Sequence, residues 1–211
     1  MKWEDILNTV GNEPVFSSAL LMAGNRSRAN ILLQLSRWTK TGKLIQLRRG
    51  LYLPARPYRK VIPHPFLLAN KIKKASYVSL QSALAYYGMI PENVPVVTSV
   101  TTMRPEKVDT DEGTFSFRHV KKSFFNGYCS LEIVEGQTVF IATPEKSLLD
   151  LIYLTPGGET FEYLRELRLQ NTDRLDLNSL RELAKKAGST KLGLAVKQVI
   201  KIIGEEEYKD L

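Results

Sequence analysis

The chain has 211 residues, 43% hydrophobic and 25% charged, a composition that supports a packed core in one large domain or two modest ones. Its single cysteine, Cys129, excludes an internal disulfide or a cysteine metal cluster and points to a reducing compartment. Charge is uneven: residues 1–62 carry 11 Lys and Arg against 3 acids, net +8, whereas 63–211 carry 19 against 19.

Trp3, Ile6, Leu7 and Val10 share one face of a short helix over 3–10, which Gly11-Asn12-Glu13-Pro14 breaks. Ser17 or Ser18 caps a second short helix through Met22, and Gly24-Asn25 forms a tight turn. A longer helix runs from Ser27 to Thr41, with Gly42 in the C′ position. Residues 43–54 alternate apolar and polar side chains around Arg48-Arg49-Gly50, the pattern of a β-hairpin. Four prolines between 54 and 66 mark a domain boundary.

Beyond them, helices are expected at 66–75 and 80–87, then strands at 94–102 and 114–120 separated by a polar loop over 107–113. A strand at 137–142, a helix at 144–154, and helices at about 159–169, 178–187 and 190–204 complete the chain. The expected fold class is α+β: a winged helix-turn-helix over 1–62, then an α+β domain over 63–211 that ends in helices.

On the third helix, Ile31, Leu32, Leu35 and Trp38 fall on one arc, and Arg26, Asn30, Gln34, Arg37 and Thr41 on the other. Arginine reads guanine, and asparagine or glutamine reads adenine, in the major groove. A recognition helix makes base contacts mainly near its N-terminal end. Arg26, Ser27, Asn30 and Gln34 are therefore the expected readout residues, with Arg37 and Lys40 nearer the phosphate backbone. Arg28 lies at the edge of the apolar arc, where it either reaches a phosphate or pairs internally. Arg48 and Arg49 at the hairpin tip are placed to contact phosphate or enter the minor groove. Together with the charge asymmetry, this order predicts a double-stranded DNA partner. Tyr52 is expected to pack the hairpin onto the helices.

Several segments resemble known sequences. Gly24-Asn25-Arg26-Ser27, Leu35-Ser36-Arg37-Trp38, Gly42-Lys43-Leu44 and Arg49-Gly50-Leu51-Tyr52 resemble the N-terminal winged helix of AbiEi-type antitoxins and related regulators. Tyr77–Leu84 with Tyr87-Gly88, and Val139–Asp150, resemble two further segments of that family, in its order. The resemblance implies the antitoxin of a type IV toxin–antitoxin pair. Its N-terminal domain would repress the shared promoter, and its C-terminal domain would neutralise a nucleotidyltransferase-like toxin. A stand-alone regulator whose C-terminal domain binds a ligand or dimerises is the alternative.

Read as residues alone, the second-domain segments look structural. Thr143 and Ser79 suit helix caps, Pro144 the first helical position, and Lys146 and Asp150 an exposed pair four residues apart. The helical tail suits either a packed face with a solvated rim or an interface. Enzyme readings fare poorly. His64 and His119 are far apart, and Asp109, Asp111, Glu145 and Lys146 sit in ordinary loop and helix contexts. No phosphate-binding glycine loop is present. No catalytic residue and no cofactor is expected. Met1–Asp5 lacks a basic-then-apolar leader and no apolar run reaches the roughly 18–20 residues of a membrane span, so a cytoplasmic protein with no membrane partner is expected.

Overall fold

A computed structural model describes residues 1–22 and 27–207. The fold is mixed α+β with two sheets among the described residues, and the chain divides into two compact units. The first comprises Met1–Lys74 with Thr110–Glu112, and the second Ala75–Asp109 with Gly113–Leu211.

In the first unit, α1 (Trp3–Val10) is followed by β1 (Phe16–Ser17), α2 (Ser18–Leu21) and α3 (Arg28–Lys40). Next come β2 (Leu44–Arg48), β3 (Leu51–Pro54) and α4 (Pro65–Ile72). The sheet order is β1-β3-β2, antiparallel throughout, with Arg49-Gly50 as the β2–β3 turn. Gly50 sits at φ +81°, a conformation only glycine adopts without cost. Ile6, Val10, Phe16, Ile31, Leu35, Trp38 and Tyr52 form one core. Trp3 meets Trp38 edge-on at 5.3 Å, and Phe16 stacks on Tyr52 at 6.0 Å. Tyr52 thus fixes the hairpin to the helices, as expected.

Two departures from the sequence reading matter here. β1 is only two residues long, too short to leave an alternation, yet it adds a third strand to the hairpin. The prolines do not mark the division: α4 belongs to the first unit, where Phe66, Leu67, Leu68, Ala69 and Ile72 are buried. His64 caps this helix, its Nδ1 accepting from the Phe66 amide at 3.2 Å.

The second unit comprises β4 (Ser76–Val78), α5 (Leu80–Tyr86), β5 (Val96–Thr101), β6 (Glu106–Thr110), β7 (Gly113–His119), β8 (Tyr128–Val134) and β9 (Gln137–Ala142), then α6 (Pro144–Leu154), α7 (Phe161–Glu166), α8 (Leu177–Ala187) and α9 (Thr190–Glu207). The six-stranded sheet has the order β6-β7-β5-β4-β9-β8. It is mixed: β5 runs parallel to β7 and β4 to β9, while β4–β5 and β8–β9 are antiparallel. α6 packs against α5, α8 and α9, and eight of its eleven residues, Glu145 to Ile152, are buried.

Residues 107–113 are not a loop: β6 occupies most of them. Its charged Lys107 and Asp109 point outward from an edge strand, a position where charge deters further pairing. β4 and β8 also escaped the sequence reading. β4 is three residues long and buried on both faces, and only Leu131 and Ile133 give β8 an inward side.

Candidate nucleic-acid interface

The outward face of α3 is defined by what the opposite face buries. Ile31, Leu35 and Trp38 are buried, at the i, i+4, i+7 spacing of one helical stripe. At about 100° per residue, the line opposite them runs Ala29, Leu33, Lys40, with Ser36 and Arg37 to either side. All five are exposed. Ser27, at the N-cap, and Arg28 and Asn30, in the first turn, are exposed as well, and Gln34 lies half-buried on the flank. Arg26 lies outside the described residues, as does the Gly24-Asn25 turn.

The sequence reading placed Leu32 on the buried arc. It is 41% exposed, and Leu33, which the reading passed over, is 51% exposed near the centre of the solvent face. The signal was available: fixing the stripe on Ile31, Leu35 and Trp38 leaves Leu33 diametrically outside it.

No acidic residue lies on α3, and Arg37 and Lys40 occupy its last turn. Among the described residues, Arg28, Arg37, Lys40 and Arg49 make no ion pair. Met1, Ser27, Asn30, Ile31 and Gln34 line a shallow depression of about 320 Å³ beside the N-terminal half of the helix. The two hairpin arginines are both exposed and differ in their hydrogen bonding. Arg49 is exposed at the turn. Arg48 donates from its guanidinium to the carbonyl of Ile72 at the end of α4. Arg48 is exposed as well, so the hairpin tip carries two cations, one of them anchored to α4 by a hydrogen bond.

Arg59 is another internal cation. It donates to the Pro54 carbonyl and holds Glu112 through two bonds of 3.0 and 2.8 Å, with only 5% of its side chain exposed. Lys43 lies over the Trp3 ring at 5.3 Å. Burial lowers the basicity of the His64 imidazole.

No protein-family model and no curated protein matches this chain. The division into units sharpens its charge asymmetry: the first unit holds 14 bases against 5 acids, and the second 16 against 17.

In the second unit the segments 77–88 and 139–150 meet. Asp150 is fully buried and accepts from the Tyr77 hydroxyl at 3.0 Å, the Ser79 hydroxyl at 2.7 Å and the Lys146 ammonium. Lys146 is likewise buried, its Nζ 3.5 Å from the Phe124 ring centroid. The expectation of an exposed pair is therefore corrected: the two side chains are 0% exposed because α6 is covered on every side. Ser79 spends its hydroxyl on Asp150 and makes no cap bond, whereas Thr143 does cap α6 by accepting from the Lys146 amide at 3.3 Å. Burial pushes the Asp150 carboxyl up against the pull of Lys146, and the same burial pushes the Lys146 ammonium down. Tyr77 is held far above its ordinary value, first by burial and then by Asp150. Gly127 leaves room for this lysine: a Cβ there would stand 3.0 Å from Lys146 Cγ.

Every polar atom of the Lys146–Asp150 cluster has a partner, so it is a packing device rather than an open site. Glu145 is also engaged, accepting from the Asp176 amide at 2.9 Å. Asp109 accepts from the Thr114 hydroxyl on the surface, and His119 contacts the Met103 carbonyl. Among the described residues no group of three or more His, Cys, Asp or Glu side chains is placed to hold a metal ion. No described helix is long and apolar enough to cross a membrane.

Proposed function

We propose that the first unit is a winged helix-turn-helix that binds duplex DNA, with α3 as the recognition helix and β2–β3 as the wing. The observation that carries this reading is the solvent face of α3. It is free of acids, flanked by cations without ion pairs, and lies in the same unit as an exposed hairpin arginine. A 13-residue helix is about 20 Å long, enough to lie across a major groove.

In this reading Ser27, Arg28 and Asn30 meet bases or phosphates from the first turn, Gln34 reads from the flank, and Arg37, Lys40 and Arg49 contact the backbone. Ala29 and Leu33, on the outermost line, contact thymine methyl groups, the apolar feature of the major groove. Arg48 acts as a brace for the wing. Titrating full-length protein with Asn30→Ala, Leu33→Ala and Arg49→Ala variants against a randomised duplex library tests this division. The α3 variants should relax sequence preference, and the hairpin variant should weaken all duplexes alike. The reverse pattern would move base readout to the wing.

We further propose that the chain is the autorepressor and antitoxin of a type IV toxin–antitoxin pair, repressing its own promoter and neutralising a nucleotidyltransferase-like toxin. Support comes from the two family-like segments, which depend on each other through Tyr77, Ser79, Lys146 and Asp150. The test uses the full chain. Arg37→Ala with Arg49→Ala should abolish promoter repression and keep rescue of growth from a toxin encoded beside the gene. Repression without rescue by the unaltered chain would leave a stand-alone regulator.

A further inference from the structure

We infer that the groove between α8 and α9 is a binding site for a small amphiphilic anion, an apolar chain or ring bearing one carboxylate or sulfonate. Residues 177–203 carry six Lys and Arg against one acid, Glu182, inside a unit that holds 16 bases against 17 acids. Opposite charge from elsewhere in the unit does not cancel this excess where it matters. Lys191 lies 3.6 Å from Glu159 and Lys201 lies 3.8 Å from Glu205. Lys185 and Lys197 have no ion pair among the described residues.

The helices pack through Leu180, Ala184, Leu192, Val196 and Val199, and beside this seam the surface sinks into a concavity of about 470 Å³. Its floor is apolar: Ala184 and Val196 are buried and Ile200 half-buried. Its rim is cationic, formed by Arg181, Lys185 and Lys197. Gly193 faces open space, where a Cβ would meet nothing within 4 Å, so a larger side chain there has room to occupy the groove. The volume falls within the range of small-molecule clefts, about 300–1,000 Å³, which are mostly apolar with a few polar groups that fix orientation.

The chemistry of the lining selects the ligand class. An inorganic anion satisfies the rim and leaves the floor in water. An uncharged chain covers the floor and leaves like charges crowded at the rim. An amphiphilic anion does both. A nucleic acid would meet the rim but has no apolar tail for the floor. This inference stands independently of DNA binding.

The test is calorimetric titration of the full-length protein with decanoate below its micellar concentration, with decanol and acetate as comparisons. Decanoate should bind at least tenfold more tightly than either. Gly193→Leu fills the groove and favours the helix, because glycine is a poor helix former. It should abolish binding while raising or preserving the melting temperature. Lys185→Glu with Lys197→Glu should weaken decanoate at least tenfold and leave decanol unchanged, whereas Lys186→Glu, away from the groove, should change neither. Absence of decanoate binding, equal binding of decanol, or undiminished binding by Gly193→Leu would overturn the inference.

Discussion

The helices α3 and α6 carry similar polar patterns and use them in opposite ways. Each has polar side chains four residues apart, Asn30 with Gln34 on α3 and Lys146 with Asp150 on α6. On α3, three buried residues at helical spacing leave most of the surface to water, and its polar groups are available to a partner. On α6, eight consecutive residues are buried, and its two charges are consumed by each other and by the hydroxyls of Tyr77 and Ser79. The same spacing therefore leaves an open polar surface in one unit and a buried staple in the other. What separates them is how many neighbours cover the helix, a tertiary property.

The strongest way to break this contrast is at Asp150. Asp150→Ala strands a buried ammonium and two hydroxyls, and should lower stability by about 3–5 kcal/mol, measured by chemical denaturation. Lys146→Met with Asp150→Leu should recover most of that loss, because apolar replacement of a whole buried pair is often neutral. A loss under about 1 kcal/mol for Asp150→Ala would mean that the pair is solvated like a surface one.

On α3 and the hairpin the expected effects are smaller. Asn30→Ala should cost about 1–3 kcal/mol at one base pair of the preferred site and little on other duplexes. Leu33→Ala should erase discrimination between thymine and uracil at one position, since the two bases differ only by the methyl group. Arg49→Ala should reduce the salt slope of binding by about one and leave folding intact. Arg48→Ala should instead lower the melting temperature, because the Ile72 carbonyl loses its donor.

The smallest effect is a pH dependence of the first unit. Burial lowers the His64 pKa from its ordinary 6.5, so the unfolded chain takes up the proton first as pH falls. The contribution is complete above that value and is lost as pH drops through the folded-state pKa. Protonation also removes the Nδ1 lone pair that caps α4. His64→Asn, which keeps a capping oxygen, should flatten this part of the stability–pH curve.

Elements with strong local punctuation were legible in the sequence. The helix after Thr143-Pro144 begins and ends where the cap, the proline and the glycines put it, and the hairpin turns at Arg49-Gly50 as expected, although β3 is buried along its whole length rather than alternating. Central β4 was not legible, because three residues buried on both faces leave no period to read. Nor was the burial of Lys146, since an i, i+4 pair looks alike on a covered and an open helix. On α3, exposure of Asn30, Arg37 and Lys40 followed from the helical stripe. The commitment of Arg48 to Ile72 did not, because it depends on a helix 24 residues away in sequence. Leu33 was missed for want of a polar group, although its position on the helix was as plain as that of its neighbours.

In the proposed function, the solvent face of α3 reads duplex DNA. The most direct test of that reading is binding of full-length protein to the duplex upstream of its own gene and to a scrambled duplex of equal length, across a salt series. Tighter binding to the upstream duplex, a steep loss of affinity with salt on both, and loss of the preference in an Asn30→Ala, Leu33→Ala double variant are expected. Equal affinity for the two duplexes, or a preference that survives the double variant, would contradict that reading.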